Sequence, residues 1–237
     1  MPSWNVHTAH VEQVLRERDP SALGIRDANA FLFGNFVPDI YVGYMVKDPT
    51  RKIAYADTHF ANPGHVPEPR FWEFWDRFGL PSADSEGRVS DVTLGTWCHL
   101  VADNIYNHNV NAYRHEHGIP AGERTRIRKQ ADFDLYGHTL DVSLTCEVTP
   151  QLLAQAAAFP QYAVAERDVR AAVEVARGIV EQNQAHHLAE TPAYDMLDAR
   201  LFADTRAEVD ATIIAGLEAY AREGASAPAL REERPHA

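Results

Sequence analysis

The chain has 237 residues, of which 45% are apolar, 24% charged and 10% aromatic. Those proportions exclude a disordered, collagenous or coiled-coil chain, and a chain of this length buries about 70% of its unfolded surface, enough for a core of its own. Thirty-four acidic against 22 basic side chains give a formal charge of −12, which opposes binding to nucleic acid through the overall field.

The unusual count is 12 histidines, because neutral imidazole is the commonest metal ligand. Cys98 and Cys146 have no CxxC partner and read as reduced core residues. The first residues, Met-Pro-Ser-Trp-Asn-Val-His, carry neither a basic nor a long apolar leader region. No stretch approaches the roughly 20 apolar residues of a membrane span, so a cytoplasmic chain without a transmembrane segment is expected.

In chain order, Val11 and Leu15 sit at helical spacing in a segment from His7 to Arg18, with Asn5 as the expected cap and Asp19-Pro20 as the stop. A short apolar helix over Ala28 to Phe36 ends at Pro38, because the residue before proline is pushed out of the helical region. Asp39 is therefore expected on a turn. Residues 43–70, with Gly43, Pro49, Pro63, Gly64, Pro67 and Pro69, show no sustained period and read as a long irregular segment. Phe71-Trp72-Glu73-Phe74-Trp75 opens a short aromatic helix that Gly79 and Pro81 close, its rings read as core. The longest apolar-periodic pattern starts at a Ser90-Asp91 cap and runs to about His117 before Gly118 and Pro120. A further helix covers about residues 124–141, and Pro150, Pro160 and Pro192 then punctuate an Ala-rich helical remainder. Thr139 to Val148 alternates too briefly to define a sheet. The expected fold class is all-α.

Within the long helix, His99 and Asp103 stand four residues apart, which places both on one face where they can point at one cation. The same spacing suits a plain ion pair, but Leu94, Trp97, Leu100, Val101 and Ile105 make the surroundings apolar, and a buried ionisable group must be paired or metal-bound. His108 lies nine residues from His99, on about the opposite side of a straight helix, and reads as a surface histidine. Asp39 behind Pro38 and His59 before Phe60 each read alone as a capping aspartate and a core histidine. Arg124, Arg126, Arg128 and Lys129 form the densest basic run. Arg128 and Lys129 suit a phosphate, since guanidinium matches it bidentately, or else belong to a solvated helix face.

Taken in order, Trp4-Asn5-Val6-His7 ahead of an amphipathic helix, Val37-Pro38-Asp39-Ile40, Thr58-His59-Phe60 and His99-x-x-x-Asp103 resemble the zinc-dependent phospholipase C family, whose relatives include zinc single-strand nucleases. The resemblance covers about residues 1–140. It implies a multi-helix bundle of the phospholipase C type whose ligands converge on two or three zinc ions. It implies His7, Asp39, His59, His99 and Asp103 as metal ligands, with Asp39 the bridging carboxylate or general base. The family's last histidine and glutamate pair is missing, and Asp132, ahead of Asp134 or His108, falls where its glutamate would lie. Trp4 stands behind Met1-Pro2-Ser3 and reads as packing.

The organisation expected is a metal-binding helical core over residues 1–148, an Ala-rich extension over 149–224 that buttresses it or forms a homodimer surface, and a disordered tail over 225–237. The activity implied is hydrolysis of a phosphodiester or phosphomonoester, the partner being a small phosphoester or a phospholipid head group. Two divalent ions about 3.5–4 Å apart would activate a water and hold the phosphoryl oxygens. The alternative is a non-catalytic helical binding protein with a structural metal or none. No adjacent His-Asp dyad, HExxH, Walker loop, dinucleotide glycine fingerprint or GxSxG elbow occurs.

Overall fold

A computed structural model describes residues 2–233. Helix α1 (Trp4–Glu17) starts earlier than the sequence pattern suggests, with Ser3 at its N-cap. Asn5 is not the cap: it lies in the first turn, and its amide donates to Asn183 Oδ1 at 2.9 Å, tying the helix to a distant segment. Helix α2 (Ala28–Gly34) is capped by Asp27, whose side chain accepts from Ala30 N. Asp39 lies in a one-turn helix, α3 (Val37–Ile40), not on an open turn. Pro38 is tolerated there because the first helical turn leaves its N–H groups unbonded in any case.

The segment from 43 to 70 is irregular except for α4 (Tyr55–His59). Phe60 ends α4 in the left-handed region at φ 55°, a conformation that costs a bulky residue about 1–3 kcal/mol and is found mainly where a function fixes the backbone. Helix α5 (Phe71–Phe74) continues into a π-helical turn over Trp75–Gly79, and Phe71, Phe74 and Trp75 are core residues as their pattern predicts.

Helix α6 (Asp91–Glu116) follows the Ser90 cap, whose hydroxyl accepts from Thr93 N at 3.1 Å. Every residue from Asp91 to Asn107 is buried, so this helix runs through the core of the molecule. Helix α2 crosses it at Gly34 and Gly95, and the contact is tight. A Cβ at Gly95 would stand 2.1 Å from Phe31 O, and one at Gly34 2.4 Å from Val92 O. Only two glycines let these backbones meet.

Helices α7 (Glu123–His138), α8 (Pro150–Ala157), α9 (Glu166–Ala185) and α10 (Ala199–Glu223) complete the fold. No strand occurs among the described residues, so the fold is all-α. No described helix is long and apolar enough to cross a membrane. Helix α10 packs on α6 and α1. Both cysteines are buried, and burial pushes their thiols up, as suits inert core positions.

The tail departs from expectation. Short 3-10 turns at Gly224–Ser226 and Pro228–Leu230 bury Ala225, Ala227 and Leu230. Trp75 Nε1 donates to Ala225 O and Trp97 Nε1 to Leu230 O, at 2.8 and 2.9 Å. Two buried indoles need acceptors, and this segment supplies them. The remainder of the expected tail from residue 234 lies outside the described residues.

Candidate metal centre

Five of the expected ligands meet. His7 comes from α1, Asp39 from α3, His59 from α4, and His99 with Asp103 from α6. The histidines and Asp103 are fully buried and Asp39 is 4% exposed. His99 Nε2 and Asp103 Oδ2 are 3.7 Å apart, one turn along the same face, as their spacing predicts. His59 Nε2 lies 3.1 Å from His99 Nε2, 3.6 Å from Asp103 Oδ2 and 3.6 Å from Asp39 Oδ1. His7 Nε2 is 3.4 Å from Asp103 Oδ1, and its ring stacks on His99 with centroids 4.0 Å apart. Two overlapping triads result, His7–His99–Asp103 and Asp39–His59–His99.

The residues around these rings fix which nitrogen faces inward. His99 Nδ1 is 2.7 Å from Asn35 O, which can only accept, so this nitrogen carries a proton and, in the neutral ring, Nε2 carries the lone pair. The close crossing of α2 over α6 is what brings Asn35 O to that position. His59 Nδ1 is 2.7 Å from Thr58 Oγ1, which also lies 3.2 Å from Tyr55 O. With the Thr58 proton on Tyr55 O, His59 Nδ1 donates to Thr58 and its Nε2 also presents a lone pair. With both rings neutral in these tautomers, the two lone pairs face each other at 3.1 Å, where one cation would take both; with His99 protonated, the same contact is an Nε2–H···Nε2 hydrogen bond.

His7 makes the same point more strongly. Neither of its ring nitrogens has a hydrogen-bond partner, and neither does Asp103 Oδ1. Buried polar atoms are almost always bonded, so such a cluster of exceptions calls for a ligand. Donors 2.0–2.1 Å from one tetrahedral ion would stand about 3.3–3.4 Å from each other, which the contacts of 3.1–3.7 Å bracket. Imidazole with carboxylate suits zinc and its neighbours among transition metals better than magnesium or calcium. The residues therefore fit a metal. Asp103 turns its two oxygens toward different histidines and is the carboxylate placed to span two positions. Asp39 is not placed as the expected bridge: its Oδ2 accepts from Trp4 Nε1 at 2.9 Å, leaving Oδ1 toward His59.

Burial sets the protonation. It pushes His7 down to about 3, with His99 adding to the effect, and holds His59 well below the usual imidazole range. Asp103 is pushed up by burial but pulled down further by His99, His7 and His59, and stays ionised. Asp39 is pushed up by burial, only partly offset by His99. Neutral imidazoles beside an ionised carboxylate are the ligating forms.

Three expected site residues lie elsewhere. Asp132 is buried, but Oδ1 accepts from Asp195 N at 2.7 Å and Oδ2 from Met196 N and Leu197 N at 2.8 Å, so it closes a loop and has nothing left for a metal. Arg128 is bidentate to Asp195, at 2.6 and 3.2 Å, and Lys129 is buried with Nζ 3.2 Å from Asn107 Oδ1, so neither is free to hold a phosphate. Asp134 is exposed and accepts from Gln130, while His108 pairs with Glu68 at 3.2 Å.

Two contributors escape the sequence reading. Trp4 is a buried donor to Asp39 as well as a packing residue, stacking on Phe36 at 4.6 Å. Tyr55 stacks on His59 with centroids 3.8 Å apart and donates to Asp103 Oδ2 at 3.3 Å, closing the cluster on the α4 side. The signal for Tyr55 is its position four residues before His59, on the same face of a helix too short to show a period.

Comparison with models of known protein families, with curated proteins and with solved structures finds no match to this chain.

Proposed function

We propose that the chain is a zinc-dependent phosphoesterase of the phospholipase C-like type, hydrolysing a small phosphodiester or phosphomonoester. The observation that supports this most is the meeting of His7, Asp39, His59, His99 and Asp103 around buried polar atoms that lack partners. The cluster offers six inward donor atoms: one each from His7, His59, His99 and Asp39, and two from Asp103. Six donors suit two three-coordinate ions, which leaves the larger count of three without enough ligands among the described residues.

A bound pair of ions supplies Lewis-acid polarisation of the phosphoryl oxygens and lowers the pKa of water. The chain's own part is to position and to move a proton. Asp39, held at Oδ2 by Trp4, has only Oδ1 facing the cluster, and the second lone pair of that oxygen would orient the attacking water and take its proton. Asn35 O and Thr58 orient His99 and His59 so that their Nε2 lone pairs face the cluster. Tyr55 covers His59 and keeps bulk water from it.

Metal analysis of the purified protein, together with hydrolysis of bis-p-nitrophenyl phosphate, tests this reading. About two zinc ions per chain are expected, and His99→Ala and Asp103→Ala should each lose metal and at least about a hundredfold in hydrolysis. Retention of zinc in both variants, or no zinc after reconstitution, refutes it. Complete burial of the histidines and Asp103 favours a second reading, a helical binding protein with a closed structural ion. One ion per chain without hydrolysis would identify that protein.

A further inference from the structure

Arg128 and Lys129 are tied into the fold, but one cavity beside the metal centre carries arginines with the chemistry to bind a phosphoryl group. It has a volume of about 600 Å³ and lies against α4, on the side formed by Ala56, Asp57 and Phe60. Tyr55 and His59 of the same helix belong to the metal centre. Tyr162 walls the cavity and bonds through its hydroxyl to Val37 O, two residues from Asp39, whose charge helps burial to hold that phenol protonated.

Three arginines reach this cavity. Arg70 is spent on Glu73, at 2.7 Å. Arg77 and Arg51 have no carboxylate partner among the described residues. The guanidinium of Arg77 lies 5.5 Å from the Phe60 ring and 5.6 Å from that of Phe78. Arg51 lies over Tyr41 at 4.6 Å and Tyr162 at 5.5 Å, and donates to Ala163 O. Aromatic faces hold a guanidinium in place without neutralising it, so its N–H edges stay available to an anion. The one unpaired carboxylate in the lining is Asp57, at the exposed rim, so the cavity is net positive in a chain of charge −12. Gln161 Oε1 is buried there without a partner, an acceptor suited to the P–OH of a singly protonated phosphoryl group.

We infer that this cavity is a phosphoryl-binding site in which Arg77 and Arg51 take the phosphate of a small phosphoester, with its organic part against Phe60, Phe78 and Tyr162. The inference takes its ligand class from the function proposed above, but the binding itself needs no metal. Guanidinium and phosphoryl oxygens match bidentately, which neither lysine nor the backbone of this cavity could replace.

Phenylphosphonate, whose P–C bond resists hydrolysis, is the probe, titrated by calorimetry into the wild-type protein, Arg77→Gln and His99→Ala. Saturable millimolar or tighter binding is expected for the wild type, weakened about tenfold in Arg77→Gln and within about twofold of wild type in His99→Ala. Arg77→Lys should recover only part of the loss, because charge without the planar fork is not equivalent. Circular dichroism confirms that each variant is folded. No binding to folded wild type, or equal binding by Arg77→Gln, overturns the inference. Loss in His99→Ala with retention in Arg77→Gln overturns it too, while supporting the metal centre as the phosphate site. Binding that depends on Arg77 but accompanies no zinc and no hydrolysis would sustain the cavity and refute the enzyme.

Discussion

Two buried aspartates in this molecule differ only in what their oxygens have left to do. Asp132 accepts three backbone N–H groups from residues 195–197, and its carboxylate is saturated by the loop it holds. Asp103 is equally buried, yet Oδ1 has no hydrogen-bond partner and both oxygens face imidazoles. Asp132→Ala should therefore destabilise the fold by about 2–4 kcal/mol, since three buried N–H groups lose a charged acceptor, while zinc content stays unchanged. Urea unfolding with metal analysis on the same preparation checks both halves; loss of metal from a folded variant would return Asp132 to the ligand set. At this scale the sequence is informative where spacing carries geometry. His99 and Asp103 are legible because four residues is one helical turn. Arg128 is not, because whether it is solvated or paired with Asp195 depends on a segment 67 residues away, and Lys129 is not, because its burial against Asn107 depends on how another helix packs on its own.

The elements show a similar division. Helix α6 is readable from end to end, from its Ser90 cap to Gly118 at φ 62°, because a long helix repeats its pattern many times. Helices α3 and α4 each have too few residues to show a period, and they form because tertiary contacts hold them. Those two short elements carry Asp39 and His59, so the site is less legible than the scaffold. The crossing of α2 and α6 is equally hidden, since nothing in the sequence pairs Gly34 with Gly95. It can be tested against a second glycine. Gly95→Ala places a methyl against Phe31 O, which outweighs the helix propensity gained and should cost about 1–3 kcal/mol. Pushing α2 away should also loosen Asn35 O from His99 Nδ1 and weaken metal retention. Gly178→Ala lies inside α9, where an added Cβ meets nothing within 4 Å, and should stabilise by about 0.5–1 kcal/mol. Thermal unfolding of both variants decides the matter: the same sign for the two would mean that the crossing is looser than described.

Across the whole molecule, the candidate ligands come from four helices spread over the first 103 residues, and their meeting point is held by segments that carry none of them. Helix α10 and the turns after it brace α6, with the acceptors of Trp75 and Trp97 supplied by residues 225–230, a role that a Gly-, Ala- and Pro-rich sequence does not announce. The cost of this construction is several buried ionisable groups, and it should appear in the acid stability. Folding holds His7 neutral down to about pH 3, whereas the unfolded chain takes up that proton near 6.5. The unfolded state therefore binds more protons in that window, so the stabilising term is complete above about 6.5 and is lost as pH falls toward 3. His59 shifts in the same direction. Asp39 shifts oppositely, its folded form keeping a proton that the unfolded chain releases, and returns part of the loss. With two imidazoles against one carboxyl, metal-free protein should lose stability below about pH 6.5, by up to about 1.4 kcal/mol per pH unit for each net proton. Bound zinc should steepen the fall, because it stabilises the folded state only through deprotonated ligands and is released as protons compete. Urea midpoints measured between about pH 7.5 and pH 5, with and without chelator, give the two slopes. A flat chelated profile would mean that the imidazoles are charged or solvated in the folded chain. A steep profile that is the same with and without chelator would mean buried histidines that hold no metal.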